Sequence, residues 1–152
     1  MVVGATVAAF LLLDGGSVDR TRRVQSIEHS TPAARLRALR EIVPFDEPAE
    51  DVAFDVTTSE GMLTPGPAGL DACIVARVPR EALARWIDGW REISPDTALD
   101  LACAQGLAGQ WSGFRLQAKQ RDYRRADADT FDVSEQRTVF EGDGAIVWRI
   151  IR

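Results

Sequence analysis

The stretch VSEQRTVFEGDGAIVWRII, residues 133–151, decides the fold class. Val133 to Phe140 and Ala145 to Ile151 are two runs of strand length, and the second is rich in Ile, Val and Trp. Between them, Glu141-Gly142-Asp143-Gly144 carries an Asp-Gly pair. That pair predicts a two-residue hairpin turn, because glycine takes the positive φ such a turn demands. An antiparallel hairpin therefore closes the chain, and the residues upstream must supply the rest of the sheet and its cover.

Moving toward the N-terminus, Gln110 to Arg121 sets Phe114, Leu116 and Ala118 against Arg115, Gln117 and Lys119, the alternation expected of a strand with one wet face. Ser94-Pro95-Asp96 reads as a helix start, with Leu99, Ala102 and Cys103 as the inner face of a short helix ending at Gly106. Pro79 opens a stronger helix in which Leu83, Trp86, Ile87 and Trp90 form an apolar stripe. Leu70 to Val78 is a nearly continuous apolar run between Gly and Pro, expected as a strand buried on both faces, and Val52, Phe54 and Val56 alternate as another. Thr57 to Gly69, punctuated by Gly and Pro, reads as their connection, with Met62 and Leu63 able to fold back onto the core. Thr31 caps a helix that opens at Pro32, presents Leu36, Leu39 and Ile42, and stops before Pro44. Arg20 to Arg23 reads as a linker. The sum is an α+β protein: a mainly antiparallel sheet of four to five strands with two to three helices packed on one face.

A chain of 152 residues, 45% hydrophobic, can bury one core unaided, so residues 17–152 are expected to form a single α+β domain behind an apolar segment, 1–16. Val2 to Leu13 is apolar apart from Gly4 and Thr6. It is shorter than the roughly 20 residues that span a bilayer, with no basic region before it and no Ala-x-Ala-like cleavage site after it. Two readings stand: the remnant of an export signal or membrane anchor that starts upstream, or the first core element. Lys119 is the sole lysine and alanine is abundant, the bias of a GC-rich bacterial genome. A net charge of -5 disfavours nucleic acid as a partner. Cys73 and Cys103 both lie in apolar company, which favours free buried thiols over one disulfide.

His29 is the only histidine and no nucleophile motif accompanies it; no nucleophile elbow, zinc-helix motif or phosphate loop is present. Two cysteines and one histidine cannot build a soft-metal site. The clusters Asp46, Glu47, Glu50, Asp51 and Asp127, Asp129, Asp132 lack the spacing of a calcium loop and read as solvated turns. Asp96 and Asp100, four apart, are a pairing that chance supplies in so acidic a chain. No catalytic, cofactor or metal residue is assigned, and the expectation leans away from an enzyme. What remains is binding. Arg115, Lys119, Arg121, Tyr123 and Arg125 alternate with Gln117 on what should be one strand face, and Trp111, between Gly109 and Gly113, is the tryptophan expected at the surface. All of these but Gln117 are the candidate partner-binding residues, suited to an anionic surface, though the solvated outside of a sheet explains them as simply. Two functions follow. One is a small bacterial envelope protein, anchored or exported through Val2 to Leu13, that binds an unidentified protein partner. The other is a cytoplasmic interaction module, such as an inhibitor or immunity-type protein, masking a basic partner with its acidic loops. The oligomeric state is left open.

Overall fold

The computed structural model describes residues 21–60, 67–94, 101–112, 114–117, 120–125 and 134–152. The apolar segment 1–16, Met62, Leu63, the acidic pair Asp96 and Asp100, Leu99, Lys119 and the cluster Asp127, Asp129, Asp132 fall outside them. The described strands are β1 (Thr21–Gln25), β2 (Asp51–Glu60), β3 (Pro67–Arg77), β4 (Trp90–Ile93), β5 (Gln120–Arg125), β6 (Ser134–Phe140) and β7 (Ala145–Ile151). The helices are α1 (Pro32–Ile42), α2 (Leu83–Ile87) and α3 (Ala102–Ala108). All seven strands belong to one antiparallel sheet, ordered β1-β2-β3-β7-β6-β5-β4. The fold is α+β, but four to five strands was too few.

Each discrepancy has a local cause. The sequence of β1, TRRVQ, has one apolar residue and no alternation to betray it. Its backbone pairs with β2 from Thr21↔Ser59 to Gln25↔Asp55, and Arg23 and Gln25 both donate to the Asp55 carboxylate. The apolar stripe from Leu83 to Trp90 fits a helical period, yet α2 ends at Ile87, because Gly89 turns the chain at φ +76°. Trp90 is consequently the first residue of β4. Where the expected strand Gln110 to Arg121 is described, it is instead turn and bend over 109–112 and irregular over 114–117, and β5 begins only at Gln120. The region Thr57 to Gly69, read as a connection, is strand at both ends, since β2 runs to Glu60 and β3 starts at Pro67. The final hairpin is where it was expected, but its turn is longer: Phe140 pairs with Ala145 across four residues. Only Gly144 takes positive φ, at 59°. A Cβ there would sit 3.1 Å from the Val78 carbonyl.

The sheet is two meanders, β1-β2-β3 and β4-β5-β6-β7, fused along β3 and β7. Successive residues of the central strands feed two separate cores. Phe54, Ile74, Ala76, Ile146 and Trp148 face Leu39 of α1 and Trp86 of α2 on the first face. Ala53, Val75, Phe140 and Val147 meet Ala104 and Leu107 of α3 on the second. The expectation that all helices pack on one face is therefore corrected: α3 covers the opposite side. Cys73 of β3 also points there and is joined to Cys103 of α3 by a disulfide, Cα–Cα 6.5 Å, which replaces the reading of two free thiols. A seven-residue helix containing Gly106 has little stability of its own, and this bond anchors it.

α1 begins as its sequence predicts, with Thr31 Oγ1 accepting from the Ala34 N–H at 3.2 Å and Pro32 in the first turn. Arg35 of α1 forks onto Asp51 at the start of β2, Nε 2.8 Å and Nη2 2.6 Å. The sheet's edges are β1 and β4, five and four residues long, carrying Arg22, Arg23, Arg91 and Glu92 with exposed side chains.

Burial pushes the Asp51 carboxyl upward, but donation from Arg35, Trp111 and the Val52 N–H, with the Arg35 charge, outweighs it and holds Asp51 below the usual carboxylate range. Asp55 is likewise lowered, first by the hydrogen bond from Arg23. The unfolded chain therefore binds more protons than the folded one at acid pH, and stability rises with pH in that window. Stability should be complete at neutral pH and should fall as pH drops below about 4, the unfolded carboxyl value, through the lower folded values. Urea titrations between pH 2 and 7 check this, and Asp51→Asn should flatten the slope. In the same assay, Cys73→Ala with Cys103→Ala should lose about 3 to 4 kcal/mol, the closure entropy of a loop with sequence separation 30.

Candidate functional site

Strand β6 carries charge where the fold should be apolar. Its residues alternate between the two cores, yet Glu135 and Arg137 stand in phase with Val139 on the first face and are 2% and 4% exposed. Arg137 lies across from Trp148 of β7 and Tyr123 of β5. Its guanidinium carbon is 4.2 Å from the ring centre of Trp90, 4.3 Å from Trp148 and 5.0 Å from Trp86. Such stacking offsets part of the lost hydration. Nη1 donates to the Trp86 carbonyl and to Glu47 Oε1, the latter at 2.7 Å. Nε has no hydrogen-bond partner among the described residues. Burial pushes the Arg137 pKa below its ordinary value, against the raising influence of Glu47.

The rings are themselves fixed. Trp86 donates Nε1–H to the Pro48 carbonyl at 2.8 Å, and Trp86, Trp148 and Phe45 pack mutually with centroids 5.7 to 6.1 Å apart. Trp148 donates Nε1–H to Glu135 Oε1 at 3.0 Å. Among the described residues Glu135 Oε2 accepts no hydrogen bond, while the guanidinia of Arg125 and Arg152 each stand 3.5 Å away, long for such a bond.

Above this floor opens a cleft of about 740 Å³, within the size of small-molecule sites. One wall is the segment after α1, including Pro44 and Asp46; the other is the α2–β4 turn with Arg85, Asp88 and Trp90. The floor strands are interior to the sheet, so their backbone groups are already paired.

The candidates named from sequence do not form one patch. Arg115 is exposed in the irregular stretch, and Gln117 there donates its backbone N–H to Asp143 Oδ2 at 2.8 Å. Lys119 lies outside the described residues. Arg121, Tyr123 and Arg125 do share a face of β5, but it is the first face, the one that α1 and α2 pack on. Arg121 pairs with Glu141, Tyr123 is 5% exposed in the core, and Arg125 reaches the cleft. Trp111 is half-buried rather than exposed: its Nε1–H donates to Asp51 Oδ2 at 2.7 Å and its ring meets Phe114 edge-on at 5.3 Å. His29 tilts against Phe54 at 6.2 Å. The acidic cluster before β2 is dispersed, since Glu47 serves Arg137, Asp51 serves Arg35, and Glu50 approaches Arg77 at 3.9 Å.

Sequence reasoning missed Glu135 and Arg137. The signal was present in VSEQRTVF, where Glu135 and Arg137, in phase with Val139, are charged although the strand pairs with the apolar run Ala145 to Ile151.

Arg137→Ala should destabilise the protein by about 3 to 5 kcal/mol, because it leaves Glu47 uncompensated and unroofs the tryptophans. Arg137→Met combined with Glu47→Gln should recover much of that loss, as read from urea midpoints. No protein-family model, curated protein or solved structure matches this chain, so the site stands on its own geometry.

Proposed function

We propose that this chain is a non-catalytic bacterial envelope protein that acts by binding, and that the cleft over β7, β6 and β5 is where it binds. The observation that carries this reading is the charged, tryptophan-walled floor. Burying a carboxylate and a guanidinium in the middle of a sheet costs stability that an apolar pair would not. The pair also lies beneath an open cleft, where the same groups that tie the fold together can help to receive a ligand. The described cleft residues include four carboxylates, Asp46, Glu47, Asp88 and Glu135, but no serine, cysteine or histidine beside them, and Glu47 and Glu135 already face guanidinia, which supports holding a ligand over acting on it.

The location is supported separately. Disulfides persist in oxidising compartments and are rare in the cytoplasm, so the bond between Cys73 and Cys103 speaks for export and against the cytoplasmic interaction module. The apolar run Val2 to Leu13 suits the same route. Among the described residues no helix is long and apolar enough to cross a membrane.

The native gene, expressed with its own upstream region, should yield protein in the membrane or periplasmic fraction, with no titratable thiol and an intact mass showing an extended or processed N-terminus. Soluble cytoplasmic protein with two free thiols would overturn the envelope reading. The low-molecular-mass fraction of an envelope extract should slow hydrogen exchange at Trp90 and in the segment after α1, and equal exchange with and without it would count against the cleft.

A further inference from the structure

The disulfide is presented unevenly to solvent. Cys73 is buried in the sheet, whereas Cys103, the second residue of α3, is exposed. Both cysteines line an opening of about 280 Å³ on the α3 side of the sheet, with Arg23, Asp55, Asp71 and Arg149 around it. Each guanidinium there faces a carboxylate, Arg23 with Asp55 and Arg149 with Asp71, so an incoming thiolate meets no unopposed charge. A disulfide that serves only as a staple is protected when both sulfurs are enclosed, and one with an exposed cysteine is open to attack by a thiolate.

The helix that this bond secures has weak attachments otherwise. α3 buries Ala104, Leu107 and Ala108, two of which bring a single methyl group to the second core. Leu101 before it offers no capping side chain, and seven residues are too few for a helix to hold in water unaided. Just beyond the helix the chain is fixed again, because Gln110 Oε1 accepts from Ser26 Oγ at 2.8 Å and Trp111 donates to Asp51. Opening the disulfide therefore loosens α3 without unthreading the sheet.

We infer that the bond between Cys73 and Cys103 is a thiol-exchange site, opened by a dithiol reductant and closed by a disulfide oxidant, and that its state sets whether α3 stays on the sheet. A thiolate of the dithiol attacks Cys103 Sγ, the S–S bond breaks, and its electron pair leaves on Cys73 Sγ, which takes up a proton. The second thiolate of the reductant then attacks the mixed disulfide and releases Cys103, which is protonated in turn; the reductant departs as its own disulfide, oxidised by two electrons. Closing is the reverse exchange. The inference is independent of the cleft, which opens on the other face of the sheet.

The full, oxidised chain in native buffer tests it, with dithiothreitol as the reductant. Thiols counted by alkylation and intact mass should appear at a rate proportional to dithiothreitol concentration and indifferent to urea below the unfolding transition, because no global opening is needed. Reduced glutathione, quenched with acid, should leave its adduct on Cys103 in a peptide map. On reduction, hydrogen exchange over Ala102–Ala108 should rise about tenfold or more, while β3, β7 and Trp90 keep their protection. Oxidised glutathione should then restore slow exchange in α3. Reduction that waits for urea, an adduct on Cys73, unchanged exchange in α3, loss of protection throughout the sheet, or failure to re-form the bond would each overturn the inference.

Discussion

β3 and β7 pair over seven positions, from Asp71↔Ile151 to Arg77↔Ala145, and every other part of the molecule is arranged around that ladder. It joins segments far apart in sequence, so its formation carries a large loop-closure cost that local contacts cannot offset. The compensation is burial on both sides. Ala72, Ile74 and Ala76 enter one core while Cys73 and Val75 enter the other, opposite Ile146, Trp148 and Val147 of β7, and none of these is more than 3% exposed. Without the ladder there are two meanders, each with half a core. With it, α1 and α2 find a common floor on one face and α3 a separate one on the other.

Arg137 belongs to this same problem of joining halves. Its strand lies in the second meander, whereas Glu47, which takes its charge, comes from the segment after α1 in the first. Trp86, which gives both a ring and a carbonyl, lies in the crossover between them. A single guanidinium thus bonds to or stacks on pieces from both halves of the chain, with directional contacts that an apolar side chain cannot make. Apolar packing alone tolerates sliding and repacking, whereas a buried ion with fixed acceptors does not. The price is a group that must stay charged in a poorly hydrated place, which is why its pKa is depressed even beside a carboxylate.

Much of the scaffold was legible in the sequence because its signals were local. Thr31 and Pro32 announced α1, and the apolar runs announced β2, β3, β6 and β7 within a few residues. Failures came where a tertiary contact overrode local pattern. β1 is polar because an edge strand needs only a backbone partner, and Leu83 to Trp90 has a helical period because Trp86 and Trp90 reach one cluster from a helix and a strand. The cysteines could not reveal their pairing, since apolar neighbours describe a buried thiol and a buried disulfide equally well. The cleft was least legible of all. Its groups come from the segment after α1, the α2–β4 turn, and strands β5 and β6, and those named beforehand, Asp46, Glu47, Trp90 and Arg125, were named for other reasons and never together. The expected cationic stripe assumed a strand from Gln110 that does not form, so its members scattered to an ion pair, a core and a loop.

The two edges of the sheet bear on what many copies of this molecule do together. A seven-stranded open sheet ends in unpaired amides and carbonyls, which are templates for another chain. Here the terminal strands are short, and Arg22 and Arg23 on one side, with Arg91 and Glu92 on the other, would have to be desolvated by any strand that docked. Such edges let the protein remain dispersed at high local density. Crowding would then press the molecules together without offering them a way to become a fibril.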